Sequence, residues 1–385
     1  MSAQMEGGPA GGFGGFGGFG GFGGFGGFGG GGGVAPGPLD TPLAMSGLIT
    51  TRDGIAGDWQ SVTTAIAQHD TENERLLERM SVSARSAVFA FEIGSKLAFD
   101  FVGDEAALWH VETKPREDPP KNPPYVPLVK MVRPTDPIFR NHLDMIASYA
   151  DQRQDRASEI LGQLSPLAGF YRAIAYLNPS RTPYTLELMS VATYLAVLSE
   201  GRFKYALACK RPIEMSPQIQ PIVYTPTHGS LPSGHATEAF TLARVLRLLL
   251  QAAGVGPYGD AIWSQMLFRQ AERIAVNRTV AGVHFPADSM AGAILGLTLA
   301  RYFVQRCQGA TVATSSAFAG NSGELMNKDF DWRDFYDHAS DTQQNVGSIS
   351  TVDNAAAFDV DTMTSKPLNW LWRKAKSEWS NITGP

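Results

Sequence analysis

Apolar residues recur at helical spacing through most of the chain beyond Gly57. Residues 84–101 (ARSAVFAFEIGSKLAFDF), 137–164, 184–209, 235–253, 258–278 and 285–306 carry them three and four positions apart, the pattern of helices with a buried stripe. Between the first two lies KPREDPPKNPPYVP. Its six prolines exclude a helix and a central strand, since proline lacks the amide hydrogen that both require. Asp136 can cap the helix that follows, with Pro137 at the favoured first position. No segment of useful length alternates with period two. The expected fold class is all-α, a helical bundle.

Both ends depart from that pattern. Residues 11–30 are almost pure Gly-Gly-Phe repeats, and six isolated Phe cannot repay the chain entropy that so much Gly loses on ordering. Residues 1–38 are therefore expected to be a disordered low-complexity tail, either a tolerated spacer or a weakly self-associating one. Residues 39–309 would form the helical catalytic domain. Residues 310–385 would form an irregular arm rich in Ser, Thr, Asn and Asp, ending in a short amphipathic helix with Trp370, Trp372 and Trp379. Such an arm either packs back on the bundle or embraces a second subunit, and a homo-oligomer is expected.

Composition narrows the function. Before Pro38 lie 20 of the 41 Gly, so the other 348 residues hold 21, an ordinary share for a globular domain. A formal net charge of −5 argues against a general nucleic-acid or anionic-membrane binder, though not against a local anion site. Two cysteines, Cys209 and Cys307, make neither a disulfide framework nor a Cys-based zinc site. The start MSAQMEGG lacks the charged and apolar regions of a signal peptide. The longest apolar run, Met290 to Val304, contains Arg301 and is too short to span a bilayer. A soluble, cytoplasmic protein is expected.

Three short segments carry the candidate chemistry. In KYALACKRP, Lys204 and Arg211 are seven apart, two turns along one helix face. In THGSLPSGH, Ser233 and Gly234 stand at a helix entrance, where free N–H groups and the positive dipole end suit an anion, with His235 on the first turn. In NRTVAGVHFPAD, Arg278 precedes His284 by six, and Asp288 follows it by four, so the carboxylate can orient the imidazole or hold Arg278. Each segment alone has a bland reading: cations at a helix C-terminus, a Ser N-cap, a buried His with a salt bridge. Pro-Ser-Gly-His alone arises by chance in roughly one such chain in several hundred, and the flanking segments lower that by orders of magnitude.

Together the segments resemble the signature of the type 2 phosphatidic acid phosphatase superfamily, which also contains bacterial acid phosphatases and vanadium-dependent haloperoxidases. The likeness runs from about Thr182 to Cys307, and all three motifs are complete. Asn277 stands where the pattern commonly has Ser. The resemblance implies that Lys204, Arg211 and Arg278 neutralise a tetrahedral oxyanion, with Ser233 and Gly234 completing the cradle. His284 would bond to phosphorus or ligate vanadium, His235 would be the acid/base, and Asp288 would support from behind.

One such site can run two reactions. With a phosphate ester, His284 forms a phosphohistidine and His235 protonates the leaving group. With vanadate as cofactor, hydrogen peroxide oxidises a halide, Lys204 polarises the bound peroxide, and a small organic nucleophile accepts the halogen. Chain size, the lack of a signal peptide and the long helical region before Lys204 look more like the haloperoxidases. His228, seven residues before His235, matches the bromoperoxidase version of the loop, whereas the Lys204–Arg211 spacing is that of phosphatases and chloroperoxidases. The expected function is therefore a vanadium-dependent haloperoxidase favouring bromide or iodide, with phosphate able to occupy the same site. The alternatives are a soluble phosphomonoesterase and a non-enzymatic, self-associating scaffold. His69, His110, His142 and His338 lack ligand spacing. Cys209 reads as a small buried residue despite the neighbouring cations.

Overall fold

The computed structural model describes residues 42–65, 67–112, 124–256, 258, 260–358 and 363–380. The Gly-Gly-Phe tail and most of the proline-rich stretch lie outside them. Twelve helices are described: α1 Pro42–Ile55, α2 Glu74–Arg79, α3 Val82–Gly94, α4 Asp136–Ser148, α5 Arg153–Gly162, α6 Ala168–Tyr171, α7 Pro183–Leu207, α8 Pro212–Met215, α9 Gly234–Ala253, α10 Ala261–Val280, α11 Pro286–Gln308 and α12 Lys366–Ser380. None is long and apolar enough to cross a membrane.

α9 is the axle. It is buried along nearly its whole length and packs against α7, α10 and α11. The α9–α11 contact is close because α11 offers Gly292 and Gly296, one turn apart. A Cβ on Gly292 would stand 2.6 Å from the Ser233 carbonyl, and one on Gly296 would collide with that of Thr237. Backbone therefore meets backbone where α9 begins, and Ser233 N–H donates to the Asp288 carbonyl at 2.8 Å. Two of the three sequence segments are locked together at that point.

The molecule is not all-α. Strands β1 Leu97–Val102, β2 Glu105–Val111, β3 Tyr125–Val132, β4 Val312–Ala319 and β7 Ile349–Ala357 form one sheet in the order β1-β2-β3-β4-β7; β5 Tyr336–Asp337 and β6 Thr342–Gln343 make a separate small pair. β3 and β4 run parallel and the other neighbours antiparallel. The helical reading of residues 84–101 fails after Gly94. Leu97, Phe99 and Phe101 are two apart, and over five residues that spacing imitates a helical stripe; Gly103, at φ 58°, then turns the chain into β2. Along β2, Ala106, Leu108 and His110 are buried and their neighbours half-buried, the alternation of a strand with one face inward. Nor did proline exclude a central strand. Pro127 sits in β3 opposite Trp109, beside a register shift, while β4 pairs only from Val129 onward, so no ladder bond to β4 is lost.

The sheet packs against the bundle through α7 and α11. The C-terminal arm folds back on its own chain. Glu378 on α12 accepts hydrogen bonds from the Tyr184 and Thr185 N–H groups, satisfying orphan donors at the start of α7, and Trp379 Nε1 donates to Thr185 Oγ1 at 2.9 Å.

Candidate active site

α7 delivers Glu200 and Lys204 to one face, one turn apart, then ends at Leu207. Ala208 closes it in the left-handed conformation (φ 47°), its N–H bonded to the Lys204 carbonyl. Arg211 is thus not on the same helix as Lys204, as the seven-residue spacing suggested; it stands just before Pro212 at the start of α8. The chain turns back and points Arg211 at His284.

Arg211 ties three segments together. Its Nη1 donates to the Val283 carbonyl and to His284 Nε2, both at 2.9 Å, its Nε to the His228 carbonyl at 3.0 Å, and its Nη2 to His228 Nδ1 at 3.1 Å. His284 in turn donates Nδ1–H to Asp288 Oδ2 at 3.0 Å, which fixes the tautomer and leaves the Nε2 lone pair toward Arg211. Asp288 also accepts the Phe285 N–H at 3.0 Å and the Ser230 hydroxyl at 3.3 Å. Burial pushes Asp288 up to about 6, below neutrality, so it is ionised at pH 7. Burial, with Arg211 and Lys204 nearby, holds the His284 imidazole well below its ordinary range, hence neutral.

Ser233 caps α9, its hydroxyl accepting the Ala236 N–H. His235 on the first turn donates Nε2–H to the Gln163 carbonyl at 2.9 Å, so Nδ1 is the nitrogen free to gain a proton. Burial, then Arg278, holds it down to about 3. Lys204 Nζ donates to the Pro232 carbonyl, and burial pushes its ammonium down to about 8 despite Glu200.

Lys204, Arg211, His228, Gly234, His235 and His284 line one cavity of about 590 Å³. Ser233 and Arg278 are buried beside it rather than in its wall. Arg278 Nη2 donates to the Gln163 side-chain carbonyl at 2.7 Å and to the Ile160 carbonyl at 3.1 Å, while its buried Nε has no partner among the described residues. Lys204, Arg211, the α9 N-terminus at Gly234 and His284 thus face one cavity.

Residues 186–311 match the PAP2 superfamily. This stretch is a PAP2 superfamily domain. Every residue of the three motifs lies inside it. A search of curated proteins gives no match. Among solved structures, a transmembrane PAP2 type phosphatidylglycerolphosphate phosphatase from Bacillus subtilis aligns at 20% identity over 46% of this chain and 90% of that chain, with a TM-score of 0.36.

Three residues in or beside the PAP2 domain escaped the sequence reading. Gln163 grips both His235, through its backbone, and Arg278, through its side chain, but lies 72 residues before His235 with no local signal. Glu200 and Glu238 line the cavity. A carboxylate four residues before Lys204 and another three after His235, each on a mostly apolar helix, could have marked them. Asn277 Nδ2 donates to the Gln163 side chain at 3.1 Å, so the departure from Ser serves the Arg278 support. Cys209 also lines the cavity, and burial outweighs the nearby cations, pushing its thiol up to about 12, so it is no thiolate at neutral pH. His110 and His142 are buried elsewhere, against Tyr302 and the Met326 carbonyl. His338 meets the Ala261 carbonyl, and His69 meets Arg79.

Proposed function

We propose that the protein is a phosphomonoester hydrolase working through a phosphohistidine at His284. The observation behind this is the state of that imidazole: neutral, held through Nδ1 by Asp288, its Nε2 lone pair set among cations. An imidazolium has no lone pair with which to attack phosphorus; this ring has one. Lys204, Arg211 and the α9 N-terminus hold the phosphoryl oxygens. Arg211 Nη1 passes from Nε2 to a phosphoryl oxygen, the freed Nε2 bonds to phosphorus as the ester P–O bond breaks, and His235 gives its proton to the leaving alkoxide. Water then attacks phosphorus, His235 takes the proton back, and the P–N bond breaks to release inorganic phosphate. Burial, then Arg278, depresses His235; a bound dianion attracts the imidazolium and opposes both, which favours the acid form once substrate is in place.

The rest of the wall supports this chemistry over halide oxidation. With an oxyanion in the clamp, the wall still presents Glu200, Glu214 and Glu238 against one further cation, Lys210. Carboxyl groups, protonated or not, offer a bromide ion no positive partner and tolerate a neutral or cationic alcohol.

His228, in the same wall and bonded to Arg211, favours a second reading in which vanadate takes the clamp. The donor set fits that group: one neutral imidazole nitrogen for the metal, cations and N–H groups for its oxygens, and a buried Arg278 Nε awaiting an acceptor. Vanadate would supply peroxide activation for halide oxidation; Lys204 and Arg211 would hold it and His235 would manage the proton.

The deciding experiment follows phosphate release from small phosphomonoesters, with acid quenching to trap a phosphohistidine. The expected result is turnover, a trapped phosphoenzyme lost in His284→Ala, and inhibition by orthovanadate. No phosphate release, with vanadate-dependent bromination in peroxide and bromide, would replace this reading by the second.

A further inference from the structure

The carboxylates beside the clamp have no role in the steps above. Glu200 stands one turn before Lys204 on α7, and Glu238 one turn after Gly234 on α9; both are buried and both line the cavity. Glu200 lies against the cradle itself, since a Cβ on Gly234 would be 2.5 Å from its Oε1. Its Oε2 is buried without a hydrogen-bond partner among the described residues. Lys204, one turn further along its helix, donates to the Pro232 carbonyl.

Charge balance makes this arrangement informative. Lys204, Arg211 and Arg278 are offset by Asp288, Glu200 and Glu238, all six buried. A dianionic phosphate draws on the same three cations, so Glu200 and Glu238 must then stay protonated or find another positive charge. A substrate that brings its own positive charge supplies it. Their backbone positions are one helical turn, roughly 5.4 Å of rise, from Lys204 and Gly234, and the Glu200 carboxylate reaches the edge of the cradle, within a short alkyl spacer of the clamp.

We propose that the pocket selects phosphomonoesters whose alcohol carries a cationic nitrogen, of the aminoalkyl phosphate class, with the ammonium seated between Glu200 and Glu238. This rests on the oxyanion reading of the clamp and adds the substrate class. Burial pushes Glu200 up to about 7 and, with Glu200 beside it, Glu238 well above its ordinary range, more than Lys204 and Arg211 offset; a bound ammonium would draw both down.

Calorimetry with non-hydrolysable probes tests it on the full chain. Inorganic phosphate, 2-aminoethylphosphonate and its neutral isostere propylphosphonate are titrated into wild type, Glu200→Gln and Glu238→Gln. Wild type should prefer the amine by about tenfold or more, and each Gln variant should lose most of that preference. A wild-type ratio near one with phosphate binding intact overturns the amine site and leaves the clamp standing. A preference that survives both substitutions also overturns the assignment. If phosphate itself fails to bind, the clamp reading falls and takes this one with it.

Discussion

His284 donates Nδ1–H to Oδ2 of Asp288 at 3.0 Å, and that same oxygen accepts the Phe285 N–H at the opening of α11. The carboxylate that orients the His284 ring is therefore itself held by a helix terminus. Asp288→Asn should lower turnover about 10- to 100-fold, by freeing the ring to change tautomer. Inorganic phosphate should bind at least as tightly, because a buried negative charge has gone. Wild-type turnover should also fall as pH drops through about 6, where Asp288 gains its proton, and this limb should vanish in the variant. A parallel loss of phosphate affinity and turnover would contradict the assignment.

Lys204 should make anion binding sensitive to alkali. Burial lowers its ammonium to about 8, so the charge is present below that pH and lost above it. Glu200, at about 7, loses its proton slightly earlier and pushes the same way. Sulfate, a dianion throughout, should bind with an affinity that is level in mild acid and falls above pH 7 to 8, by up to roughly tenfold per unit. Lys204→Arg, which stays charged, should remove most of the fall. An unchanged profile in that variant would show that another group controls it.

Asp341, in the left-handed conformation at φ 58°, staples the C-terminal arm to the core. It accepts two hydrogen bonds from Arg244 at 2.9 Å, one from Arg301 at 3.0 Å and one from Tyr336 at 2.7 Å. Asp341→Ala leaves Arg244 buried without its carboxylate and should cost about 3–5 kcal/mol in urea unfolding. Although burial opposes ionisation, the arginines and Tyr336 win, and the carboxyl is held below its ordinary range. Its stabilisation is therefore complete above the unfolded value near 4 and lost as pH falls through the lower folded value. The variant's deficit should shrink in that acid range and nowhere else.

The bundle helices and the three segments that meet at the cavity were legible because each rests on local information. Helical spacing names α7, α9, α10 and α11, and residues in three short segments already carry Lys204, Arg211, His235, His284 and Asp288. The sheet was not legible. β3 and β4 pair Val129 with Ser316, and no local pattern in either segment announces a partner so distant. β1 is short enough that period two imitates period 3.6. The site's supports fail for the same reason, because Gln163 and Glu200 acquire meaning only when α5 and α7 meet α9.

Gln163 gives that last point an experimental form. Its side-chain carbonyl accepts from Arg278 Nη2 at 2.7 Å, and its backbone carbonyl accepts from His235. Truncating the side chain should therefore disturb Arg278 while leaving the His235 bond in place. Gln163→Ala should weaken phosphate binding severalfold, since only part of the about 1.5–3 kcal/mol of a buried hydrogen bond to a charged group goes into placing Arg278 for the anion. Gln163→Glu separates a structural role from an electrostatic one. The introduced carboxylate would hold Arg278 more firmly, yet would neutralise the guanidinium charge that otherwise faces the oxyanion. If Arg278 serves the anion, phosphate affinity should fall in the order wild type, Gln163→Ala, Gln163→Glu, even where the Glu variant unfolds at higher urea than the Ala variant. If Arg278 is only a structural tie, the Glu variant should bind phosphate at least as well as the Ala variant, and Arg278 would leave the clamp.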